Sequence, residues 1–436
     1  MDILVNSTTQ IAITHLGLCC PLGQSHQVVL DNLLHASTTG MQWRDDLLFE
    51  RSVLVGQVDA KLPELPSALK RFDTRNNQLT LLIARQIEQA VEQAKARFSC
   101  ERIGIVIGTS TSGIATGEAA LSELKAHGEF PKEYDYAKQE LGDTSQFLQA
   151  YFGLSGPCYT VSTACSSSAK VFASAKRLID ADVCDMVIVG GIDTLCKLTL
   201  NGFYSLESIS NGHCQPFSIN RDGINIGEGG ALFTLEKVTL EKVTLDNAAK
   251  DGEEKAIILS GIGESSDAHH ISAPHPEGRG AINAMQAALN MAKLKPEQID
   301  YLNLHGTATP KNDAMESRAV HQVFSNNLPA CSSTKSLTGH TLGAAGAIEA
   351  AFCYLLLSDY NTQQQLPPQV WDGEQDPNDP SLTLVEKGQQ ANIRHVMSNS
   401  FAFGGSNASL ILSRYRSSRE VLENRAFDST ETNPNV

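Results

Sequence analysis

The amino-acid sequence predicts an α/β fold, because short β-branched or apolar runs alternate with longer helical stretches along most of its length. The predicted strands are Ile103–Gly108, Met186–Gly190, Ala231–Leu235, Ala256–Gly261, Tyr301–Leu304, His395–Ser398 and Ala408–Leu412. The predicted helices are Asn77–Phe98, Ser168–Leu178, Ala281–Leu294 and Ala344–Leu357. Strands that alternate with helices in this way favour parallel-rich sheets covered by helical layers.

The local composition of each segment explains why it is predicted to be a helix or a strand. Asn77–Phe98 is rich in Leu, Ala, Gln and Glu, which are good helix formers. Ile103–Gly108 reads Ile-Gly-Ile-Val-Ile-Gly, and β-branched residues favour a pleated, buried strand. Ser168–Leu178 follows a turn of small residues, and Met186–Gly190 returns to the β-branched pattern. Ala344–Leu357 begins with small residues and continues into leucines, as a buried helix does.

The chain of 436 residues exceeds the usual size of one domain, so two domains or two fused lobes are expected. The halves 1–245 and 246–415 echo each other, since each has a strand, a reactive residue in a turn, and a helix rich in small residues. The polar stretch Lys237–Glu254 predicts the junction between them. Charged helical material at about 114–152 interrupts the first half, and the polar tail 416–436 is predicted to be mobile.

Composition and charge exclude several classes of protein. The net charge of −15, from 34 basic and 49 acidic residues, argues against nucleic acid as the main partner. No apolar run approaches the roughly 18 residues of a membrane span, and Met1–Gln10 lacks the layout of a secretory signal. Ten cysteines are present without a Cys-x-x-Cys pair, which argues against zinc, and a reducing cytoplasm is expected.

Cys165 is the first candidate for chemistry. It lies in Thr163-Ala164-Cys165-Ser166-Ser167, a small-residue turn between a β-branched run and a predicted helix. Free backbone N–H groups and the helix dipole favour a thiolate at such a position, so a lowered pKa is expected. The alternative is a buried structural cysteine.

Two histidines lie in turns of small residues. His305 belongs to His305-Gly306-Thr307-Ala308-Thr309-Pro310, and His340 belongs to Gly339-His340-Thr341-Leu342-Gly343. Glycine in such turns lets a substrate approach the backbone closely. One activated cysteine and two histidines indicate acyl-thioester chemistry, in which imidazole N–H groups stabilise the charge of an enolate oxygen. The alternative for each histidine is a structural role.

These segments resemble the β-ketoacyl-acyl carrier protein synthases, the elongating type I/II condensing enzymes of the thiolase superfamily. The resemblance extends from about Ile11 to Leu412 and rests on four motifs in the family's order: the Cys165 turn, the His305 loop, Lys335 to Gly346, and Phe401-Ala402-Phe403-Gly404-Gly405-Ser406-Asn407. It implies a five-layered αβαβα thiolase fold of two pseudo-repeated halves. It also implies condensation of an acyl group on Cys165 with malonyl-acyl carrier protein.

The resemblance assigns supporting residues around the two histidines. Lys335 and Glu349 are expected to form a buried pair that orders the second histidine, with a surface ion pair as the alternative. Asp313 and Glu316 are expected to support the His305 loop without transferring protons. No metal or resident cofactor is implied, because the substrates arrive on the phosphopantetheine arm of the carrier protein.

The same resemblance suggests where the substrate binds. Thr307 and Thr309 match hydroxyls that bind the phosphopantetheine arm, although both could simply stabilise the turn. The backbone N–H groups of Cys165 and Phe403 match the oxyanion hole, and the Phe403 ring matches the gate of the acyl pocket. Ala402 stands where the family usually has glycine, so altered gate motion is expected.

Two further regions carry predictions that depend on the resemblance. Thr111, in the glycine-bounded segment Gly108–Gly113, is expected to line the acyl pocket with a small, partly polar side chain. That segment lacks the lysine of a phosphate loop, which excludes nucleotide binding. The stretch 114–152 is expected to form a cap beside the substrate entrance and a dimer contact.

A partner protein and a docking surface are also expected. An acidic chain must meet an acidic carrier protein through a local basic patch, and Lys70, Arg71 and Arg75 are the candidates. The alternative is an ordinary solvated helix face. The resemblance further implies a dimer, either with a second copy or with a related ketosynthase-like subunit.

Several functional alternatives remain. A thiolase-type acyltransferase needs a second cysteine in the final glycine motif, where this chain has Phe401-Ala402-Phe403-Gly404-Gly405, and an initiating synthase would carry asparagine in place of His340. A chain-length partner subunit usually lacks the cysteine, and a cysteine protease needs only one histidine. Fatty acid elongation and a specialised polyene or polyketide pathway share the same catalytic set, and Ala402 and Thr111 favour the specialised pathway.

Overall fold

The computed structural model of the protein describes residues 9–239 and 255–416. The strands are β1 Thr9–Cys19, β2 Met41–Leu48, β3 Arg51–Gly56, β4 Ile103–Gly108, β5 Cys158–Val161, β6 Met186–Asp193, β7 Gly229–Thr239, β8 Lys255–Ser266, β9 Tyr301–Asn303, β10 Ala330–Ser332, β11 His395–Phe401 and β12 Ser406–Arg416. The helices are α1 His26–Leu34, α2 Arg75–Arg97, α3 Ile114–His127, α4 Asp143–Phe152, α5 Ser167–Asp180, α6 Lys197–Ser205, α7 Arg279–Ala292, α8 Pro310–Phe324, α9 Lys335–Thr338 and α10 Ala345–Leu357.

Ten of these strands form one continuous sheet in the order β10-β9-β11-β12-β8-β1-β7-β6-β4-β5, while β2 and β3 form a separate hairpin. The sheet consists of two five-stranded halves that meet where Ala12 and Ile13 of β1 pair with Ile258 and Ile257 of β8. Outward from this junction, the first half runs β1-β7-β6-β4-β5 and the second runs β8-β12-β11-β9-β10. If the five strands of each half are renumbered 1 to 5 in chain order, both halves have the same spatial order, 1-5-4-2-3.

Strand direction repeats in the same way. In each half, the first and last strands in chain order pair antiparallel, the last and fourth pair antiparallel, and the remaining pairs are parallel. The two halves therefore share one topology although the sequence carries no repeat at the level of residues. The central strands are buried on both faces, as the six buried residues of β4 and the eight of β6 demonstrate.

Helices cover both halves of the ten-stranded sheet and lie between them. Helix α2 packs on β1 and β7, and α7 packs on β8 and β12. Helices α5 and α10 lie between the two halves and contact each other. Three clusters of buried apolar side chains follow this order, one around the central helices and one beneath each outer helix. The prediction of an αβαβα arrangement with five layers is confirmed.

All seven predicted strands and all four predicted helices overlap observed elements of the same type, with bounds that differ by no more than a few residues where a prediction runs past an observed end. The stretch 114–152 is helical, and α4 packs against α2 and the edge strand β5. Its proposed part in a substrate entrance stays a prediction. The domain boundary at 245/246 falls in residues 240–254, outside the described part of the chain, and so does the tail beyond Arg416.

Candidate active site

Cys165 lies in the turn between β5 and α5. The turn places Ala164 at a φ of 53°, a left-handed conformation that is uncommon for a residue with a side chain. The Ser167 hydroxyl stabilises it by accepting a hydrogen bond from the Thr163 N–H at 2.9 Å and donating to the Ala164 carbonyl at 2.6 Å. Cys165 is therefore held at a fixed position just before the central helix begins.

His340 occupies the corresponding place in the second half. It follows the third strand of its half, β10, and precedes the central helix α10, as Cys165 follows β5 and precedes α5. The starts of the two helices are joined directly, because the Ala347 N–H donates to the Ser168 hydroxyl at 2.8 Å. The internal repeat of the fold thus brings the cysteine and the second histidine together.

Cys165, His305 and His340 form one buried cluster. The sulfur of Cys165 lies 3.0 Å from Nε2 of His340. The two imidazole rings are 5.4 Å apart between centroids and nearly perpendicular, at 86°. One side-chain atom of each residue lies within 4.8 Å of the others, and all three residues are buried. A single thioester group could contact all three side chains at once.

Hydrogen bonds fix which nitrogen of each ring carries the proton. The backbone N–H of Leu342 donates to Nδ1 of His340 at 3.1 Å. The Lys335 ammonium lies 3.4 Å from Nδ1 of His305 and also donates to the His305 carbonyl at 2.5 Å. Since both Nδ1 atoms face donors, each neutral ring carries its proton on Nε2. Both Nε2–H groups are therefore available as donors within the cluster.

Burial keeps both rings neutral. It lowers the pKa of His305 well below its usual value, and the charge of Lys335 and the neighbouring His340 act in the same direction. It lowers the pKa of His340 in the same way, again with the help of Lys335. The two histidines are thus neutral N–H donors at physiological pH.

Lys335 and Glu349 form a buried ion pair with Nζ and Oε1 2.5 Å apart. Burial raises the pKa of Glu349, and the nearby Lys335 opposes this effect. The resemblance linked the pair to the second histidine, but in the structure Lys335 contacts His305, the first. The Leu342 backbone orients His340, so the expected ordering of the second histidine by the pair is corrected. Lys335 still influences the electrostatics of that histidine, since its charge lowers the pKa of His340.

Asp313 and Glu316 lie on α8 beneath the His305 loop and accept its backbone N–H groups. Glu316 accepts from His305 and Gly306, each at 2.8 Å, and Asp313 accepts from Thr307 at 3.1 Å. Burial raises the pKa of Glu316 to about 7 despite these bonds. The two carboxylates lie beneath the loop and contact its backbone, in keeping with the supporting role predicted for them.

The ionisation of Cys165 differs from the prediction. Burial raises the pKa of its thiol to about 11, and the opposing effects of Lys335 and of the backbone N–H groups of Phe403 and Cys165 are smaller. The expected lowering by the helix start is therefore wrong for the resting enzyme. The reason is that the sulfur is enclosed, and an enclosed thiolate loses its hydration.

Phe403 lies beside the sulfur. Its backbone N–H and that of Cys165 both act on the thiol, which is the arrangement expected of an oxyanion hole. Its ring contacts Phe203 with centroids 5.6 Å apart. Ala402 has φ −98° and ψ 153°, an ordinary extended conformation. Alanine therefore imposes no strain there, and the positive φ values of the segment fall on Gly404 and Gly405.

Thr307 and Thr309 lie in the loop between His305 and the start of α8. Their hydroxyls are 2.9 Å apart, and Thr307 is 6% exposed. Thr309 lines a cavity of about 270 Å³ whose wall also includes Phe401 and Phe403. The wall of this cavity adjoins the cluster, since Phe401 contacts the His305 ring.

Thr111 is not free to line a pocket with its hydroxyl. It is 1% exposed, and the hydroxyl donates to Asp193 at 2.8 Å and accepts from the Thr194 N–H at 3.1 Å. The hydroxyl is therefore already bonded within the fold, and the place of Thr111 in the acyl pocket stays a prediction. The location of the acyl pocket stays a prediction.

Sequence reasoning missed Asp193, which ends β6 and is fully buried. One carboxylate oxygen accepts bonds from Thr109, Ser110 and Thr111, and the other accepts the Ala344 N–H at 3.0 Å. Asp193 thus fastens the Gly108–Gly113 segment to the loop that carries His340. A carboxylate at the end of a buried apolar strand was the available signal.

The three docking candidates have different environments. Lys70 is exposed and pairs with Asp73 at 2.5 Å, and the Arg71 guanidinium lies 4.1 Å from the centroid of the Phe72 ring. Arg75 instead forms an ion pair with Glu228, a buried carboxylate, at 2.5 Å. Arg75 is a correction to the prediction, because its charge is neutralised within the fold.

Two further observations concern the cysteines and the apolar character of the helices. All ten cysteines are unpaired in the structure. Among the described residues, none of the helices combines the length and apolar character needed to cross a bilayer.

Sequence comparisons match both halves of the chain. The family described as "Beta-ketoacyl synthase, N-terminal domain" matches residues 8–240, and "Beta-ketoacyl synthase, C-terminal domain" matches residues 256–370. A 3-oxoacyl-[acyl-carrier-protein] synthase 2 from Staphylococcus aureus is 31% identical over 79% of this chain and 83% of its own length. The enzyme of that name from Coxiella burnetii is 30% identical over 93% of this chain and 98% of its own.

Comparison with solved structures gives the same family. A ketosynthase (ApeO) in complex with its chain length factor (ApeC) from Xenorhabdus doucetiae is 44% identical, with a TM-score of 0.85 over 94% of this chain and 99% of the matched chain. A ketosynthase/chain length factor for ishigamide is 25% identical, with a TM-score of 0.82 over 93% of this chain and 99% of the matched chain. The fold is thus that of the thiolase-type ketosynthases, and the chain belongs to the β-ketoacyl synthase family of condensing acyltransferases.

Proposed function

We propose that the protein is an elongating ketosynthase in which Cys165 carries the growing acyl chain and His305 and His340 activate a malonyl thioester. The observation that supports this most strongly is the pair of neutral Nε2–H donors beside one buried sulfur. A cysteine protease would need a histidine that accepts the thiol proton, whereas His340 presents a protonated nitrogen to Cys165.

The first step loads the enzyme. The Cys165 sulfur attacks the acyl thioester of the carrier protein, and the N–H groups of Cys165 and Phe403 stabilise the tetrahedral oxyanion. The acyl–sulfur bond of the carrier breaks, its thiol leaves with the proton, and an acyl thioester forms on Cys165. One thioester replaces another, so the reaction is nearly balanced in free energy.

The second step forms the carbon–carbon bond. Malonyl thioester loses carbon dioxide, and the negative charge of the resulting enolate develops on the thioester oxygen. The two Nε2–H groups are aimed at the region where this charge appears, so they bind the transition state more strongly than the substrate. The enolate carbon then attacks the acyl group, and the Cys165 sulfur leaves with a proton from the medium.

We also propose that the reaction requires no metal ion. Cysteine and two histidines within 4.8 Å resemble a zinc site in composition. A metal would need a lone pair on each Nε2 atom, but both Nδ1 atoms already accept from fixed donors. Each histidine would have to lose its remaining proton, which the donor arrangement disfavours.

The partners follow from the chemistry and from the relatives. We propose an acyl carrier protein as the substrate carrier and a chain-length-factor-like subunit as the partner, with a second copy of this chain as the alternative. Two similar solved structures pair a ketosynthase with a chain length factor. The edge strand β5 leaves one side of the sheet unpaired, which suits pairing across a dimer interface.

A specialised polyene or polyketide pathway is favoured over housekeeping fatty acid elongation. The chain is 44% identical to the ApeO–ApeC structure and 30–31% identical to the synthases named above. The ten unpaired cysteines favour a reducing cytoplasm as the compartment.

Reconstitution tests this function. The purified protein, alone and together with a co-expressed chain-length-factor-like subunit, is supplied with acyl and malonyl carrier proteins, and the products are identified by intact mass. We expect a β-ketoacyl carrier protein with loss of carbon dioxide. Acyl exchange with coenzyme A but no decarboxylation would indicate a thiolase-like enzyme, and the absence of loading would indicate a non-catalytic subunit. A monodisperse monomer in both preparations would contradict the dimer.

Carrier docking gives a separate prediction. Reversal of Lys70 and Arg71 to glutamate should raise the KM for carrier-bound malonyl groups about tenfold at low salt, because like charges then face an acidic partner. The effect should diminish at 0.5 M salt, and the KM for a small pantetheine thioester should not change. Lys387→Glu, a charge reversal at an exposed lysine outside this segment, is the control. Parallel loss with both substrates would instead assign the segment to folding.

A further inference from the structure

The two ends of the cavity beside Phe403 are lined by different kinds of side chain, and the charged residues at its outer end have no role in the mechanism proposed so far. Its inner wall is formed by Phe401, Ala402 and Phe403, next to the catalytic cluster. Glu207 and Lys311 belong to its outer part, since both side chains are exposed. The inner end thus holds aromatic side chains together with the buried amides of Asn312 and Asn407, and Phe403 adjoins the sulfur there. The outer end carries charge.

Three residues at alternate positions, from the His305 loop into the first turn of α8, become steadily more exposed. Thr307 is 6% exposed, Thr309 is half-buried, and Lys311 is exposed. The hydroxyls of Thr307 and Thr309 are hydrogen-bonded to each other, and Thr309 and Lys311 both line the cavity. A linear ligand whose reactive end lies at Cys165 would therefore pass the two hydroxyls before it reaches the lysine.

Lys311 is the cationic side chain among those that line the cavity. It is the second residue of α8, a helix of 15 residues, where first-turn N–H groups and the helix dipole add positive potential. In the described ranges 9–239 and 255–416, no carboxylate lies within ion-pair distance of Lys311. Its charge is therefore available to a ligand.

We propose that Lys311 binds the phosphate of the phosphopantetheine arm at the outer end of this cavity. The arm carries its thioester at one end and its phosphate at the other, which matches an inner end that adjoins the catalytic cluster through Phe403 and an outer end that holds the ammonium of Lys311. This inference rests on the proposed function, since it assumes that the arm enters here. A phosphate paired with an ammonium forms a charge-assisted hydrogen bond.

Glu207 acts against this contact. Its carboxylate lines the same cavity and repels a phosphate. The affinity of the cavity for the phosphate group therefore reflects attraction by Lys311 offset by repulsion from Glu207. This opposition supplies a second variant with the opposite expected sign. Removal of the Lys311 charge should weaken recognition of the phosphate, and removal of the Glu207 charge should strengthen it.

The test compares two small substrates that differ by the phosphate alone, malonyl-phosphopantetheine and malonyl-pantetheine. The measured quantity is the ratio of their kcat/KM values for decarboxylation at low salt. We expect the native enzyme to prefer the phosphorylated substrate, Lys311→Ala to reduce this preference about fivefold, and Glu207→Gln to increase it about twofold. Lys387→Ala should leave the ratio unchanged, because Lys387 does not line the cavity.

The possible outcomes distinguish a failure of the Lys311 inference from a failure of the proposed ketosynthase function. If the native enzyme decarboxylates neither substrate nor malonyl carrier protein, the proposed function fails. If it uses both small substrates without preference, or if Lys311→Ala keeps the full preference, the inference about Lys311 is wrong and the function stands. An equal loss of kcat/KM with both substrates in Lys311→Ala also overturns it, because that pattern indicates a damaged fold.

Discussion

Replacement of Cys165 by alanine is expected to abolish acyl loading of the protein. Incubation of the native protein with an acyl carrier thioester should add one acyl mass, because a single buried sulfur faces both histidines and the N–H groups of Cys165 and Phe403. Cys165→Ala should add none, and its condensation activity should fall by at least about a thousandfold, the scale of losing a covalent nucleophile. Intact-mass spectrometry of the loaded protein measures the result.

The control concerns non-specific thiol acylation. Cys100 is half-buried, whereas Cys165 is 5% exposed, so a reaction governed by access alone would modify Cys100 first. Cys100→Ala should load at the native rate. If Cys165→Ala still gained the acyl mass, or if Cys100→Ala lost it, the nucleophile would have been assigned to the wrong residue.

The high pKa of the thiol leads to a second expectation about this step. Since burial raises the pKa of Cys165 to about 11, the resting sulfur is protonated across the physiological range. The loading rate should therefore increase with pH between about 7 and 9 rather than reach a plateau. A plateau beginning near pH 6 would mean that the bound substrate, or the helix start, stabilises the thiolate more than the burial of the sulfur destabilises it.

The layered fold could be predicted from sequence because its central elements are locally unambiguous. Ile103–Gly108 is β-branched and buried on both faces, and its observed bounds equal the predicted ones. Elements at the edges carried weaker signals. Strand β5 has four partly exposed residues, and β10 has only three residues, too few for a pattern to emerge. Helix α8 was missed although Pro310 at its first position is a common start signal.

The common topology of the two halves could not be read from residues at all. It depends on which strands pair, and pairing between β1 and β7 or between β8 and β12 joins segments that are distant in the chain. Yet this topology explains why Cys165 and His340 meet, since both follow the third strand of a half and precede a central helix. The resemblance named the residues, and the fold supplies the physical reason for their proximity.

Interactions that depend on tertiary packing account for the failures at the site. Arg75 was predicted to be a docking cation, but Glu228 pairs with it. The hydroxyl of Thr111 is bonded to Asp193, which the local motif does not reveal. The ionisation of Cys165 was misjudged for the same reason, because burial cannot be measured from a local motif. Each error arose from a partner that lies far away in sequence.

In the proposed mechanism the two histidines stabilise the oxyanion, and their tautomers define what they can contribute. Leu342 and Lys335 hold the Nδ1 atoms, so both Nε2–H groups remain available as donors within the cluster. Their supports differ, however. His340 depends on a backbone N–H, which no side-chain substitution removes directly, whereas His305 depends on the side chain of Lys335. Variants of Lys335 should therefore disturb the orientation of His305 more than that of His340.

His305→Ala and His340→Ala are each expected to reduce malonyl decarboxylation by about a hundredfold or more, the scale of removing one oxyanion donor. Acyl loading of Cys165 should fall much less, because the N–H groups of Cys165 and Phe403 serve that step. His340→Asn tests the reason directly, since asparagine keeps an N–H donor and should retain more decarboxylation than alanine does. Carbon dioxide release from malonyl carrier protein and acyl mass gain measure the two half-reactions, and circular dichroism checks the fold. Equal losses in both half-reactions, or no difference between asparagine and alanine at residue 340, would show that the histidines maintain the structure of the site rather than stabilise an enolate.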